Sequence, residues 1–380
     1  MSNKNTGSMY AENILLLGAG FTKNFGGLLA SEMWAEIFNN EKIQAQPRIK
    51  KLMLNNFDYE SVYYSVLEGL EDKESLLPTL KFKRKEKDAI QEATKAAYDT
   101  IDETLLRRLR KYPEIEWIHN TDTLFFNFGN TKNKSFIFTL NQDLFIERFY
   151  QNPLEPRDPT KIYILRLCIP GIDKYPVWYM NRDSFYDFIP FSTDEEREQF
   201  YNLKKEDYYL LPNEDVLNSR KENLLKKESY FLIKLHGSYN WISSNGSKSM
   251  VIGRGKTEQI NNEPLLRFYF DTFKEVLSQD KRRLLVIGYG FGDEHINSVI
   301  SNAVKNHGLK IYILSPESPK SFKEKLCDGC GKSKDIINIW NGVSGYFQCV
   351  EDVLLKDTYG NQSEKEHFYN VFFGKNNWKL

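Results

Sequence analysis

The sequence predicts an α/β fold in which a parallel β-sheet is flanked by helices. Three short apolar segments carry this prediction, namely Asn13–Leu17, Ser135–Thr139 and Arg283–Ile287. Each has the length of a buried parallel strand, and apolar residues at helical spacing occupy much of the sequence between them. Because strands and helices alternate in this way in doubly wound sheets, the predicted fold is Rossmann-like.

The first strand leads into a glycine turn and then into a helix, which apolar residues at helical spacing indicate between residues 29 and 38. Strand, glycine turn and helix together favour a dinucleotide site. Glycine lets the backbone approach a pyrophosphate, and the helix N-terminus supplies N–H donors. An ordinary strand-to-helix turn is the alternative. The predicted cofactor-binding residues of this turn are Gly18, Ala19, Gly20, Phe21 and Thr22.

Residues 42 to about 130 favour helices where a dehydrogenase would have its second strand. Helical spacing covers Phe57–Leu70, Arg84–Arg110 and Trp117–Phe128, and Pro113 follows the second of these helices. We therefore expect a helical insertion in the nucleotide-binding domain.

That domain is expected to span residues 13–357, between a polar tail at 1–12 and a C-terminal tail at 358–380. Both tails are predicted to be ordered only in part. The aromatic residues of the second tail either pack on this chain or bind a partner. Further elements are predicted as strands at Ile162–Cys168, Phe231–Leu235 and Lys310–Leu314, a hairpin over Tyr239–Gly253, and helices at Glu263–Leu277 and about Asp293–Asn306.

Composition and charge exclude several classes of protein. The 380 residues are 41% hydrophobic and carry a formal net charge of zero, so a nucleic-acid contact would need a local basic cluster. Lys81–Lys87 and Lys221–Lys227 are such clusters, with a solvated surface as the alternative. Four scattered cysteines do not suit a disulfide framework, and no apolar signal segment or membrane span is present. These features favour a cytoplasmic protein without membrane contact.

Chemically useful residues follow four of the predicted strands. Ligands of open parallel sheets bind outside the carboxyl ends of the strands, so these residues are expected to meet. Asn141 offers an amide donor and acceptor, Asp143 a carboxylate, and His236 an imidazole able to act as a base near neutral pH. The alternatives are helix capping for the first two and a buried core position for His236. A second glycine turn, predicted to approach a ribose, consists of Gly288, Tyr289 and Gly290.

These segments, in this order, resemble the motifs of the sirtuin superfamily from Ile14 to about Leu355. The second glycine turn, with Glu294-His295-Ile296-Asn297 after it, looks most like the sirtuin-like domains of bacterial anti-phage defence proteins. The length of the chain is similar to that of the sirtuin-like subunit that partners a HerA-type hexameric ATPase. His295 itself lies inside a predicted helix, where packing or a position on the helix surface is the expected role.

The resemblance implies that NAD is the substrate and that the chain is an NAD+ glycohydrolase, an effector of anti-phage defence that releases ADP-ribose and nicotinamide. It implies that Asp143 holds the nicotinamide carboxamide, Asn141 positions water or the ribose hydroxyls, and His236 accepts a proton. It also implies a homo-oligomer regulated by assembly with a HerA-type ATPase. The alternatives are an NAD-dependent deacylase or ADP-ribosyltransferase, and a DNA-acting nuclease subunit of the same complex.

Deacetylating sirtuins carry a structural zinc module with two cysteine pairs. Here only Cys327 and Cys330 have ligand spacing, whereas a tetrahedral zinc site needs four ligands. The sequence therefore predicts no required metal, which disfavours the deacylase, and the pair is expected to be two reduced thiols.

Overall fold

The structure is a computed structural model that describes residues 9–68, 81–111, 116–150, 167–172, 209–226, 228–244, 246, 248–329, 334–348, 362–375 and 377–378. Predictions for residues 1–8, 69–70, 113, 162–166, 227, 245, 330 and 349–361 lie outside these ranges. The strands of the described residues are β1 (Asn13–Leu17), β2 (Ser135–Thr139), β3 (Tyr209–Leu210), β4 (Tyr230–Lys234), β5 (Gly237–Ile242), β6 (Lys248–Met250), β7 (Arg283–Ile287), β8 (Lys310–Ser315) and β9 (Val343–Gln348).

Six of these strands form one parallel sheet in the order β4-β2-β1-β7-β8-β9. Counted along the chain, the order is 3-2-1-4-5-6, which is that of the Rossmann fold. Side chains of the central strands are buried because helices cover the sheet. The predicted fold class is confirmed.

The direction of winding reverses between the adjacent strands β1 and β7. Leu17 at the end of β1 pairs with Thr139 of β2 on one side and with Ile287 of β7 on the other. The three strands therefore end at the same level, and the turns that follow them share one edge of the sheet. Ligands of open α/β sheets bind at such a reversal point.

Helices account for most of the remaining described structure. α5 (Tyr59–Glu68) and α6 (Arg84–Lys111) pack against each other within the segment predicted as a helical insertion, and α7 (Glu116–Gly129) packs against β1 and β2. Among the described helices, none combines the length and apolar composition that a bilayer crossing needs. The helices are α1 (Ala19–Lys23), α2 (Ala30–Asn39), α3 (Glu41–Gln44), α4 (Pro47–Asn55), α5 (Tyr59–Glu68), α6 (Arg84–Lys111), α7 (Glu116–Gly129), α8 (Phe145–Phe149), α9 (Glu214–Arg220), α10 (Lys256–Asn262), α11 (Pro264–Leu277), α12 (Glu294–His307), α13 (Pro319–Gly329), α14 (Lys334–Asn341) and α15 (Gln362–Phe372).

The predicted hairpin over Tyr239–Gly253 is present as the antiparallel pair β5 and β6. It belongs to a second sheet of three strands, in which the short β3 runs parallel to β5. Of the strand predicted at Ile162–Cys168, Cys168 forms an isolated parallel bridge to Phe231, next to β4.

The described residues of the C-terminal tail include the helix α15, whose Phe368, Tyr369 and Phe372 are buried. Phe368 packs edge-on against Phe347 of β9, with ring centroids 4.9 Å apart, and Phe372 packs similarly against Tyr312 of β8. Of the two alternatives for these aromatic residues, the contacts are those of packing on this chain, beside the edge strand.

Candidate active site

A cavity of about 250 Å³ opens at the carboxyl ends of the strands beside the reversal point. Eight of the residues predicted from the sequence line it: Gly18, Ala19, Asn141, Asp143, His236, Gly288, Tyr289 and Gly290. The fold therefore brings together four segments that are far apart in the sequence.

The two glycine turns are locked against each other at the floor of this cavity. The Gly18 amide donates to the Ile287 carbonyl at 3.0 Å, and the Gly20 amide donates to the Gly288 carbonyl at 2.9 Å. Gly288 has a left-handed φ of +69°, and a Cβ atom there would lie 2.0 Å from the Phe21 nitrogen. Only glycine allows this approach, so these residues fix the spacing of the turns.

Three predicted cofactor-binding residues do not line the cavity. Residues 19–23 form the short helix α1 rather than an open turn, and Gly20 packs against the Gly288 Cα. Phe21 is fully buried and its ring lies against Phe25 and Phe145 in the core. The side chain of Phe21 is apolar and is therefore placed for packing rather than for contact with a phosphate.

Asn141 joins the end of β2 to the first glycine turn. Its Nδ2 donates to the Gly18 carbonyl at 3.0 Å and to Thr22 Oγ1 at 2.8 Å. Both hydrogen bonds use the amide nitrogen, and the residue also lines the cavity. Thr22 contributes to the site through Asn141 and not by direct exposure.

Asp143 serves both as a local cap and as part of the cavity wall. Its Oδ1 accepts a hydrogen bond from the Phe145 amide at 3.0 Å, at the start of α8. Behind it, Lys234 Nζ donates to the Asp143 carbonyl oxygen and to Glu147. Lys234 and Glu147 are both buried to within 1% exposure, so this ion pair fixes the Asp143 backbone from the protein interior.

His236 contacts a second histidine. The Nε2 atoms of His236 and His295 lie 3.0 Å apart. His295 lies in a helix, as predicted, and the first turn of that helix, α12, faces the end of β4. Burial lowers the pKa of His236 to about 3 and that of His295 to about 4, against the raising effect of Asp293. Both imidazoles are therefore neutral at pH 7, and His236 is a weaker base than its position in the sequence suggested.

An ion triad closes one side of the cavity. Lys256 Nζ lies 2.7 Å from Glu60 Oε2 and 2.7 Å from Asp293 Oδ1. Burial acts to lower the pKa of Lys256, but the two carboxylates outweigh it and the pKa is raised. Burial likewise acts to raise the pKa of Asp293, but His236 and Lys256 outweigh it and the pKa is lowered. Lys256 and Asp293 therefore both remain ionised at neutral pH.

The helical insertion supplies cavity residues that the sequence analysis missed. Tyr59 and Glu60 of α5 and Tyr98 of α6 line the cavity. The Tyr98 hydroxyl donates to Gln142 Oε1, whose Nε2 donates to the Val251 carbonyl at 2.9 Å. The order of strands could not reveal Tyr59, Glu60 and Tyr98, because they come from helices and not from strand ends. The one sequence signal was Gln142, which lies between Asn141 and Asp143 and binds Tyr98.

Two other sequence features lie away from the cavity. Cys327 is exposed on α13, and its predicted neighbour in a ligand pair lies outside the described residues. Lys81, Lys83, Arg84 and Lys85 are exposed near the start of α6, as either a solvated surface or a DNA contact requires.

The comparison with known families covers most of the strand ends that form the cavity. The SIR2-like domain matches residues 135–336, a little more than half of the chain. The matched segment contains Asn141, Asp143, His236 and the second glycine turn, and it begins after the first. No curated protein sequence matches the chain.

Proposed function

The chain belongs to the SIR2-like domain family, and from that premise we propose that it is an NAD+ glycohydrolase. Membership of this family indicates NAD-related activity in general. The specific reaction proposed is cleavage of the bond between nicotinamide and ribose, with water as the acceptor and ADP-ribose and nicotinamide as the products.

One observation carries this proposal. Two interlocked glycine turns and the side chains of Asn141, Asp143 and His236 line one cavity at the reversal point of a Rossmann-type sheet. Backbone glycines at such a point suit a pyrophosphate, and polar side chains beside them suit a ribose and an amide. The volume of about 250 Å³ is below the roughly 300–1,000 Å³ of typical ligand pockets, so the enclosed part suits one half of a dinucleotide.

The chemistry needs little acid assistance, because nicotinamide in NAD+ is cationic and leaves as a neutral molecule. Water forms the new bond to the anomeric carbon, the carbon–nitrogen bond breaks, and the proton passes to solvent. The protein must therefore orient the ribose and favour the positive charge that develops on it. Carboxylates do this in glycosidases.

We assign the side chains accordingly. Asp143 holds the carboxamide, its backbone being fixed by Lys234. The Asn141 carbonyl oxygen orients water or a ribose hydroxyl, while its Nδ2 holds the glycine turn. His236 is neutral and accepts a hydrogen bond from a ribose hydroxyl. It thus has a weaker role than the general base expected from the sequence.

The biological setting is a further part of the proposal. Its support is the resemblance of the motifs to sirtuin-like domains of anti-phage defence, including the subunit that partners a HerA-type ATPase. A constitutive NAD+ hydrolase would deplete its own cell, so regulation by assembly as a homo-oligomer with such an ATPase is consistent with the chemistry. We place this assembly in the cytoplasm.

The test is to incubate the purified chain with NAD+ and to measure ADP-ribose and nicotinamide, with and without a HerA-type ATPase. Release of both products, lost in Asn141→Ala and retained in His307→Ala, is the expected result. His307 is a matched control because it lies at the far end of α12. A folded chain that releases neither product in either condition contradicts the proposal. Light scattering that shows a monomer contradicts the homo-oligomer.

A further inference from the structure

A cluster of three side chains at the cavity has a second chemical use. Nitrogens of His236 and His295 and a carboxylate oxygen of Asp293 all lie within 4.8 Å of one another. We propose that these residues form a binding site for a divalent first-row transition-metal ion, and that occupancy by this ion stops the cleavage of NAD+. The second half of this inference rests on the proposed function, whereas the first half does not.

The distance between the two histidines fits coordination. Zinc–nitrogen bonds of about 2.0–2.1 Å in a tetrahedral arrangement place the ligand nitrogens roughly 3.3 Å apart. The observed Nε2–Nε2 distance is 3.0 Å, so the two rings need to separate by only a few tenths of an ångström. The Asp293 carboxylate, which lies within 4.8 Å of both nitrogens, needs a larger adjustment.

The local fold holds the ligands near one another. Asp293 is the N-cap residue of α12, and His295 lies within its first turn. The Phe270 ring contacts the His295 ring, with centroids 5.8 Å apart, and His236 is held at the end of β4. Three ligands on rigid elements leave the remaining coordination position to water, as in catalytic zinc sites with two histidines and a carboxylate.

The donor atoms and the charge indicate the class of ion. Two imidazoles and one carboxylate suit Zn²⁺ and its first-row neighbours, whereas Mg²⁺ and Ca²⁺ prefer oxygen donors. The carboxylates of Glu60 and Asp293 outnumber the single ammonium of Lys256, so the surroundings carry a net negative charge.

Occupancy would oppose the proposed reaction directly. An ion bound to His236 would fix the ring of the side chain to which we assign the hydrogen bond from a ribose hydroxyl. The ion would also lie beside Asp293 and His236, which both line the cavity. A metal held by these residues is thus inhibitory. This site is distinct from the structural zinc module of sirtuins, which is held by cysteines.

Binding is tested without reference to activity, by titrating the chelator-treated full-length chain with Co²⁺ in excess Mg²⁺. The expected result is one Co²⁺ per chain, with the visible absorption of a nitrogen- and oxygen-ligated ion. His295→Ala should weaken binding by at least about 100-fold, since even outer-shell partners of metal ligands contribute 10–100-fold. His295→Gln provides a second variant if the alanine protein does not fold. His307→Ala and Cys327→Ser should bind as the unmodified chain does.

Several results would overturn the site. Absence of Co²⁺ binding means that the histidine pair is only a hydrogen bond, and loss of binding in Cys327→Ser means that the ion sits at the cysteines. Unchanged affinity in a folded His295 variant overturns it equally.

The inhibitory half is tested by adding Zn²⁺ to a cleavage assay and then restoring activity with a chelator. Equal cleavage with and without bound ion overturns this half alone. A chain that binds Co²⁺ through His295 but never cleaves NAD+ contradicts the proposed function and supports the metal site. The two failures are therefore distinguishable.

Discussion

Replacement of Gly288 by alanine tests whether the contact between the two glycine turns builds the site. The added Cβ would lie 2.0 Å from the Phe21 nitrogen and 2.4 Å from the Gly20 carbonyl carbon, in a residue with φ of +69°. The left-handed conformation costs a residue other than glycine about 1–2 kcal/mol, and overpacking adds about 1–3 kcal/mol. We therefore expect the free energy of unfolding to fall by roughly 2–5 kcal/mol, a large part of the ~5–15 kcal/mol typical of proteins.

Gly290→Ala is the matched control. Gly290 lies two residues away and lines the same cavity, but a Cβ there has no neighbour within 4 Å. Its effect should stay within about 0.5 kcal/mol, as for an unstrained surface change.

Thermal unfolding followed by circular dichroism measures the difference between the two variants. With about 2.1 cal/mol/K of unfolding entropy per residue, a chain of 380 residues loses roughly 1.25 °C of melting temperature per kcal/mol. The melting temperature of Gly288→Ala should therefore fall by about 2.5–6 °C relative to Gly290→Ala. If both variants melt together with the unmodified chain, the turns are not in the close contact described. In that case the geometry of the cavity floor is wrong.

Four further predictions address the site and the fold. Asn141→Ala should lower kcat far more than it raises KM, and loss of its two buried hydrogen bonds should cost about 1–3 kcal/mol of stability; a folded variant with full activity refutes the assigned role. His236→Ala should lower kcat by roughly 5- to 150-fold, the loss of a hydrogen bond of about 1–3 kcal/mol, whereas a strongly raised KM alone would indicate binding. Burial raises the pKa of Glu263 above its ordinary value of 4.5. As the pH rises from 4.5 through the raised pKa, the folded chain therefore loses stability. The melting temperature of Glu263→Gln should therefore increase relative to that of the unmodified chain as the pH rises from acidic to neutral. A difference between the two melting temperatures that does not change with pH would contradict this. Deleting residues 367–380 should destabilise the chain itself because Phe368 and its aromatic neighbours are buried; unchanged melting would show that the tail is dispensable for packing.

The elements that could be predicted have strong local patterns. β1, β2 and β7 are continuous apolar runs, and α6 and α11 carry apolar residues at helical spacing. β9 was missed because its sequence, Val-Ser-Gly-Tyr-Phe-Gln, lies at an edge and is only partly buried. An edge strand does not require apolar side chains on both faces, so its pattern is weak.

Some residues of the candidate site could also be predicted from local patterns, and others could not. Glycines and polar residues after strands indicated Asn141, Asp143, His236 and the two turns, because the carboxyl ends of parallel strands share one edge. The contact between His295 and His236 could not be predicted, since helical spacing locates a residue on a helix but does not say which strand end its first turn faces.

The sequence by itself determined the parallel sheet, the helical insertion and the four segments at its carboxyl edge, because each depends on the spacing of neighbouring residues. Only the tertiary structure decided that Phe21 turns into the core and that His295 meets His236. It also decided that Lys256 joins Glu60 of the insertion to Asp293 of the sheet edge. These contacts join residues up to 196 positions apart, and burial, rather than local pattern, sets the protonation of the histidines among them.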